Sequence, residues 1–446
     1  MDFSRRIFMS SATGLAAAGL TAMPARAAMS SAIITATDLG IEPDSMRDQS
    51  AALQNAFDIA TERNAALMLP PGTYRASGLR IARPLHLLGL AGRSQLAAVR
   101  DEPILDIADV PFAASDGLGF DGKDAHRSRE VSLVTAGNCA DLRITDCTFS
   151  GSANGISATD SGGRIQGNHI RDIRKTGIFL LDSTGFDVSG NDIADIGNNA
   201  IQVWSSSQRR DGTMVTRNRI ARVRFDDGGN GQNGNGVVVF RSGDVLVADN
   251  NISACDFSAV RNNSGANSVI SGNICAGLRE TAIYAEFAFE GAIISSNIID
   301  MSATGIAITN FDSGGRLAVC SGNLVRNLKG AQSNPDTRGI GIAAEADTVV
   351  TGNVIENVPY AGIHLGWGPY CRNLSATNNI LRDCPIGIAA SAVKDAGKIL
   401  IANNMIAGST KGAILGMDHS KILTQDLTEL RAETPENIVV TGNVRS

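Results

Sequence analysis

The stretch VTGNVIENVPYAGIHL, Val350 to Leu365, contains a short apolar strand, an Asn at a turn, and a second short strand opened by Gly362-Ile363. Its asparagine recurs as Asn168, Asn191, Asn218, Asn250, Asn273, Asn297, Asn323, Asn353, Asn378, Asn404 and Asn443, with Cys147 in its place in an earlier copy. A small residue followed by Ile or Val recurs with it, as in Gly155-Ile156, Gly177-Ile178, Ala282-Ile283, Gly305-Ile306 and Gly387-Ile388. Fixed anchors separated by elastic spacers mark stacked coils rather than independent domains. Equivalent residues of successive parallel strands lie about 4.8 Å apart. An asparagine repeated at one turn can therefore hydrogen-bond to its copies above and below, and none of these asparagines is a candidate for chemistry. The leucine-rich L-x-x-L-x-L frame and a strict hexapeptide rhythm are both missing. The pattern predicts an all-β, single-stranded right-handed parallel β-helix of about a dozen coils.

Composition agrees with thin coils: Gly is frequent (48 of 446), aromatics make up 4% and charged residues 19%. Residues 1–27 have the form of a twin-arginine signal, with Arg5 and Arg6 before a mild apolar run and Ala25-Arg26-Ala27 as the cleavage site. This predicts export by the twin-arginine machinery to the periplasm or beyond. No later apolar run is long enough to cross a bilayer, so no membrane association is expected after cleavage. The net charge of −6, more negative once the arginine-bearing leader is gone, argues against nucleic acid as a partner. Residues 28–446 form one β-helix domain, with a capping helix and first strands over 38–96, first coils over 97–135 and repeat coils over 139–446. In the helical window Leu53, Ala56, Phe57 and Ala60 share a face, with Asp48 as N-cap. A second helix, Gln425 to Ala432, is expected at the far end.

The N-terminal residues carry a family resemblance. Asp38, Gly40, Asp48, Ala52-Leu53-Gln54, Ala56, Asp58, Leu69 to Tyr74 and Leu88-Gly89 resemble the N-terminal end of pectate-lyase-like proteins. With the leader and the G-N-x-I and G-I repeats, the chain resembles a family of twin-arginine-translocated β-helix repeat proteins. The resemblance implies a fold rather than a reaction. The N-T-D, D-D, G-H-G and R-I-K set of polygalacturonases is absent, as is the D-P-H-D motif of alginate epimerases.

Strand alternation sorts the Gly-Ile strands. With Ile or Val inward, one outward column runs through Gln202, Val238, Arg261, Tyr284, Ala307, Ala343 and His364, and the next through Trp204, Phe240, Asn263, Glu286, Thr309, Glu345 and Gly366. Arg241, Asn310, Trp367 and Tyr370 follow closely. Aromatics beside Arg, Glu and Asn suit a sugar groove, since rings stack on pyranose faces and polar groups fix hydroxyls. The candidate catalytic residues are Glu286, Arg261, Tyr284, His364 and Glu345; those for substrate binding are Trp204, Phe240, Asn263, Asn310, Trp367 and Tyr370. Glu286 and Glu345, two coils apart at about 9.6 Å, fit an inverting glycosidase pair. A lyase or epimerase would instead use a base with Arg261 as the cation. The bland alternative for Arg261 and Glu286 is an exposed salt bridge between coils. Long spacers, Ile220 to Val237 and Val325 to Ile342, predict loops flanking this face. The reading is a polysaccharide or oligosaccharide lyase, epimerase or hydrolase acting on an acidic or envelope glycan, with a non-catalytic binding or scaffolding protein as the alternative. No metal site or cofactor is expected; calcium at Asp226-Asp227, or a cofactor inserted before twin-arginine export, are the exceptions considered. Seven cysteines, an odd number, are expected to be mostly buried thiols.

Overall fold

The computed structural model describes residues 32–128, 130–330 and 337–446, so Arg5, Arg6 and the leader lie outside the described residues. The chain winds through three sheets of 16, 15 and 15 strands, here sheets A, B and C. One coil runs from sheet A (Ala346–Thr351) through a Gly352-Asn353 turn to sheet B (Val354–Glu356), then to sheet C (Ala361–Leu365). Neighbouring strands pair in parallel, as in Val354↔Ile380 and Ile363↔Ile388. The interior is filled by the inward columns: Ile201, Val237, Val260, Ile283, Ile306, Ile342 and Ile363 are fully buried. Each buried aliphatic stabilises the stack by about 1.5–3 kcal/mol. All seven cysteines are buried and unpaired. Burial pushes the Cys147, Cys275 and Cys320 thiols up to about 12, far from reactive thiolates.

The asparagine ladder forms with one correction. Each Nδ2 donates to the next Oδ1, as from Asn168 to Asn191 (2.9 Å), and the Cys147 N–H donates to Asn168 Oδ1 (2.9 Å). Between Asn353 and Asn404, however, the ladder member is Asn379, not Asn378: Asn353 Nδ2 donates to Asn379 Oδ1 (3.0 Å), and Asn379 Nδ2 to Asn404 Oδ1 (2.9 Å). Asn378 takes the place held by Gly352 one coil earlier, with a left-handed φ of 57°. Asparagine tolerates that conformation, so an Asn-Asn pair fits both positions in either assignment.

The first coils begin near Ala66, earlier than the spacing predicts, since strands Ala66–Met68, Gly72–Arg75 and Leu79–Ile81 already contribute one strand to each sheet. Helix α1 (Ser50–Glu62) buries Leu53, Ala56, Phe57 and Ala60 and packs on these first strands. Asp48 lies one residue before the N-cap position, Gln49, yet its carboxylate accepts from the Ser50 N–H (2.8 Å) as a cap does. The expected helix at Gln425 to Ala432 is not formed. The segment forms turns, with short bonds such as Glu429 N–H to the Asp426 carbonyl (3.1 Å), and is tied to the last parallel strand of sheet C, Gly412–Asp418. Asp426 accepts from the Ala413 N–H (2.7 Å), and the Leu427 N–H donates to the Ile414 carbonyl (2.8 Å). With Leu427 buried, this turn covers the end of the stack that the helix was expected to cover. No helix among the described residues is long and apolar enough to cross a membrane.

Candidate functional site

The outward face of sheet C carries the candidate residues in the predicted register. Pairing follows Gln202↔Val238↔Arg261↔Tyr284↔Ala307↔Ala343↔His364 in one column and Trp204↔Phe240↔Asn263↔Glu286 in the next. The pairing Ile306↔Ile342 places Glu345 two coils beyond Glu286 on the same column.

Two cavities open on this face. The larger, about 510 Å³, is lined by Trp204, Phe240, Arg261, Asn263, Tyr284 and Glu286, with Asn230, Gly231 and Gln232 of the first long loop on one side. The second, about 140 Å³, holds Thr309, Glu345, His364 and Trp367. Tyr284 and Asn310 line both, so the cavities adjoin. Tyr370 lines neither: it is exposed and pairs its backbone with Trp367.

At the near end Phe179, Trp204 and Phe240 meet on successive coils, the first pair edge to face and the second tilted, 5.5 and 5.3 Å between centroids. The Arg241 guanidinium covers Phe240 at 4.7 Å. Trp204 Nε1 is buried and has no hydrogen-bond acceptor among the described residues. Phe179 escaped the sequence reading although it is the outward residue one coil earlier, paired with Gln202.

Beyond the aromatics lies an ion cluster. Arg261 donates through Nε to Glu286 Oε1 (2.7 Å) and through its second terminal nitrogen to Glu286 Oε2 (2.8 Å). Its remaining nitrogen donates to Glu280 Oε2 (2.9 Å), and Asn263 Nδ2 adds a bond to Glu286 Oε1 (3.0 Å). All three charged side chains are at least 90% buried, so the expectation of an exposed salt bridge is corrected: strand pairing aims both partners into a covered space. The cover is the loop 224–234. A side chain at Gly231 (φ +141°) would collide with the Arg261 guanidinium, so only glycine lets the loop lie there. The guanidinium also rests on the Tyr284 ring at 4.9 Å. Glu280 and the loop residues were not found from sequence, because they belong to no repeating column.

In the second cavity Glu345 Oε2 accepts from the Phe311 N–H (2.8 Å). The His364 ring lies between Tyr360 and Trp367, 6.4 and 5.4 Å away, and its Nε2 has no hydrogen-bond partner among the described residues. Burial pushes its pKa down to about 4, so the imidazole is neutral near pH 7. Thr309 Oγ1, also buried, has no partner either. Four register steps separate Arg261 from His364, about 19 Å, so the two do not meet on one sugar. Asp226 accepts from Arg224 (2.9 Å) and Asp227 from Asn198 (2.8 Å).

Fold and face together define a right-handed parallel β-helix with a lined groove on one sheet. The model of the right handed beta helix region matches residues 199–380, and that of the periplasmic copper-binding protein (NosD) matches residues 110–229. No curated protein matches by sequence. Among solved structures, the catalytic unit of a GH87 α-1,3-glucanase from Streptomyces thermodiastaticus is similar at 17% identity and a TM-score of 0.52, covering 97% of this chain and 70% of that one. An N-terminal fragment of gene product 12 of bacteriophage phi29 is similar at 12% identity and a TM-score of 0.65, covering 87% and 73%. These likenesses establish the fold. The residues matched to the copper-binding model do not fit copper: among the described residues no three His, Cys, Asp or Glu converge, and His126 is buried between Ser152 Oγ and the Glu102 carbonyl.

Proposed function

We propose that this chain is a carbohydrate-active protein, exported to the periplasm, whose sheet C groove takes a neutral glycan and hydrolyses it with Glu286 and Glu345. The observation that carries the reading is the pair of adjoining cavities, with aromatic rings at both ends and the two carboxylates between them on one column. Two coils amount to about 9.6 Å, close to the spacing that leaves room for a water beside the sugar in an inverting hydrolase. Glu345 takes the part of the acid that protonates the glycosidic oxygen, and Glu286 that of the base that activates water. Trp204 and Phe240 provide the platform on which a pyranose stacks, and the indole N–H is left for a sugar hydroxyl.

Charge selects neutral over acidic glycans. Among the described residues the only cation lining either cavity is Arg261, and carboxylates already occupy its guanidinium. A uronate would bring its own carboxylate beside Glu286 and Glu345 where no described lining residue offers an unpaired cation, which disfavours the lyase and epimerase readings as well. Arg241 and Arg338 lie over aromatic rings outside the lining. The leader motif and the periplasmic family model support export, and the similarity to an α-1,3-glucanase makes neutral glucans the first trial.

One observation favours the alternative, a glycan-binding platform without turnover: both Glu286 oxygens are already bonded to Arg261, and one also to Asn263. Incubation with neutral glucans, following reducing ends and the anomer first released, separates the two. Hydrolysis with inversion that falls at least about 100-fold in both Glu345→Gln and Glu286→Gln supports catalysis. Saturable binding without product in the wild type leaves the platform.

A further inference from the structure

The outer face of sheet B, away from the groove, carries a second pattern. In six successive coils the residue after the ladder position is aliphatic and points outward: Ile274, Ile298, Leu324, Val354, Ile380 and Met405. Five of the six are 38–56% exposed, which a folded protein rarely arranges in one continuous row without a partner. Two residues further on, a parallel row runs Ala276, Asp300, Arg326, Glu356, Arg382 and Ala407. Across the Gly-Asn corner, the Ser and Thr positions Ser271, Ser295, Ser321, Thr351 and Thr377 bring no charge. Charge is thus confined to one edge of an aliphatic strip, the distribution of a protein interface.

The order of the charges identifies the occupant. Acid and base alternate along the edge, so reversing the row places each charge opposite its complement. Arg326 meets Glu356 of a second copy, Asp300 meets Arg382, and the alanines meet each other. A two-fold axis parallel to the strands performs this reversal while keeping aliphatic row on aliphatic row and charged row on charged row. That is the self-complementarity an isologous dimer requires. Within one chain the same charges pair along the row, Arg326 with Asp300 at 3.0 Å and Arg382 with Glu356 at 3.4 Å. A dimer would extend these pairs into a four-chain-position network instead of creating unpaired charge.

We propose that two copies of this chain associate antiparallel through the outer face of sheet B. Six coils span about 29 Å and the rows with their corner roughly 20 Å of contour, giving about 600 Å² per copy. The total of about 1,200 Å² lies at the lower limit of stable interfaces, so the dimer dissociates in the micromolar range.

Sedimentation velocity of the purified protein from about 1 to about 200 µM tests this. The expected result is a concentration-dependent shift from monomer to dimer, absent in Ile298→Lys. Arg326→Glu weakens the dimer at least about tenfold, and adding Glu356→Arg restores it to within about threefold. Circular dichroism and thermal melts identical to wild type exclude misfolding of these exposed-site variants. A wild-type protein monomeric over the whole range, or a dimer unaffected by Ile298→Lys, overturns the proposal.

Discussion

At the scale of the residue, burial sets the chemistry of His364. A pKa of about 4 in the fold, against about 6.5 unfolded, means that the unfolded chain binds the extra proton first. Stability from this site is therefore complete above pH 6.5 and is lost as pH falls from about 6.5 to about 4, by about 3 kcal/mol at most. His126, whose pKa burial also lowers, acts in the same direction. Denaturant melts between pH 4 and 7 are expected to show a shallower acid loss in His364→Phe than in the wild type. The Arg261 cluster predicts a larger effect. Arg261→Ala leaves Glu280 and Glu286 buried beside each other without their cation, and should cost about 3–5 kcal/mol in chemical denaturation. Loss of function in that variant is interpretable only beside its stability. The columns that hold these side chains were legible because strands alternate with period two, and one register error would have moved Glu286 inside. Glu280 and Gly231 were not legible: they act through non-repeating loops, where position follows from the closed fold alone.

At the scale of the element, the asparagine ladder ties the coils together and offers a test of register. Asn379 accepts the Asn353 N–H and side-chain amide (both 3.0 Å) and donates to the Val350 carbonyl (3.1 Å) and Asn404 Oδ1 (2.9 Å). Asn379→Ala strands several buried groups at about 1–3 kcal/mol each, whereas Asn378→Gly, at an exposed left-handed position, should change the melting midpoint hardly at all. Equal effects of the two substitutions would contradict the ladder assignment. The ladder and the capping helix were readable because each repeats or follows a helical period. The C-terminal segment misled because local helix propensity there is outweighed by hydrogen bonds to the strand Gly412–Asp418, above all those Asp426 accepts from the Ala413 and Ile414 N–H groups. The loop 224–234 was predicted to protrude and flank this face, but its closure onto Arg261 was not. Gly231→Ala should displace it and weaken glycan binding while leaving the β-helix melt nearly unchanged, because the loop lies outside the stacked core.

At the scale of the molecule, a rigid stack presents side chains at a fixed repeat of about 4.8 Å along the groove. The same regularity that made the fold readable left the substrate class ambiguous, since the columns allow Arg261 either to meet a uronate or to pair with Glu286, and the second bond, to Glu280, follows from no repeat. The central claim is that this groove holds a neutral glycan. The most direct measurement is calorimetric titration of the purified protein with neutral gluco-oligosaccharides and with oligouronates of matched length, for the wild type and Trp204→Ala. The account predicts saturable binding of a neutral oligosaccharide, weakened by at least about tenfold in Trp204→Ala, and no measurable heat with the uronates. Tighter binding of the uronates, or neutral-glycan binding indifferent to Trp204→Ala, would contradict it.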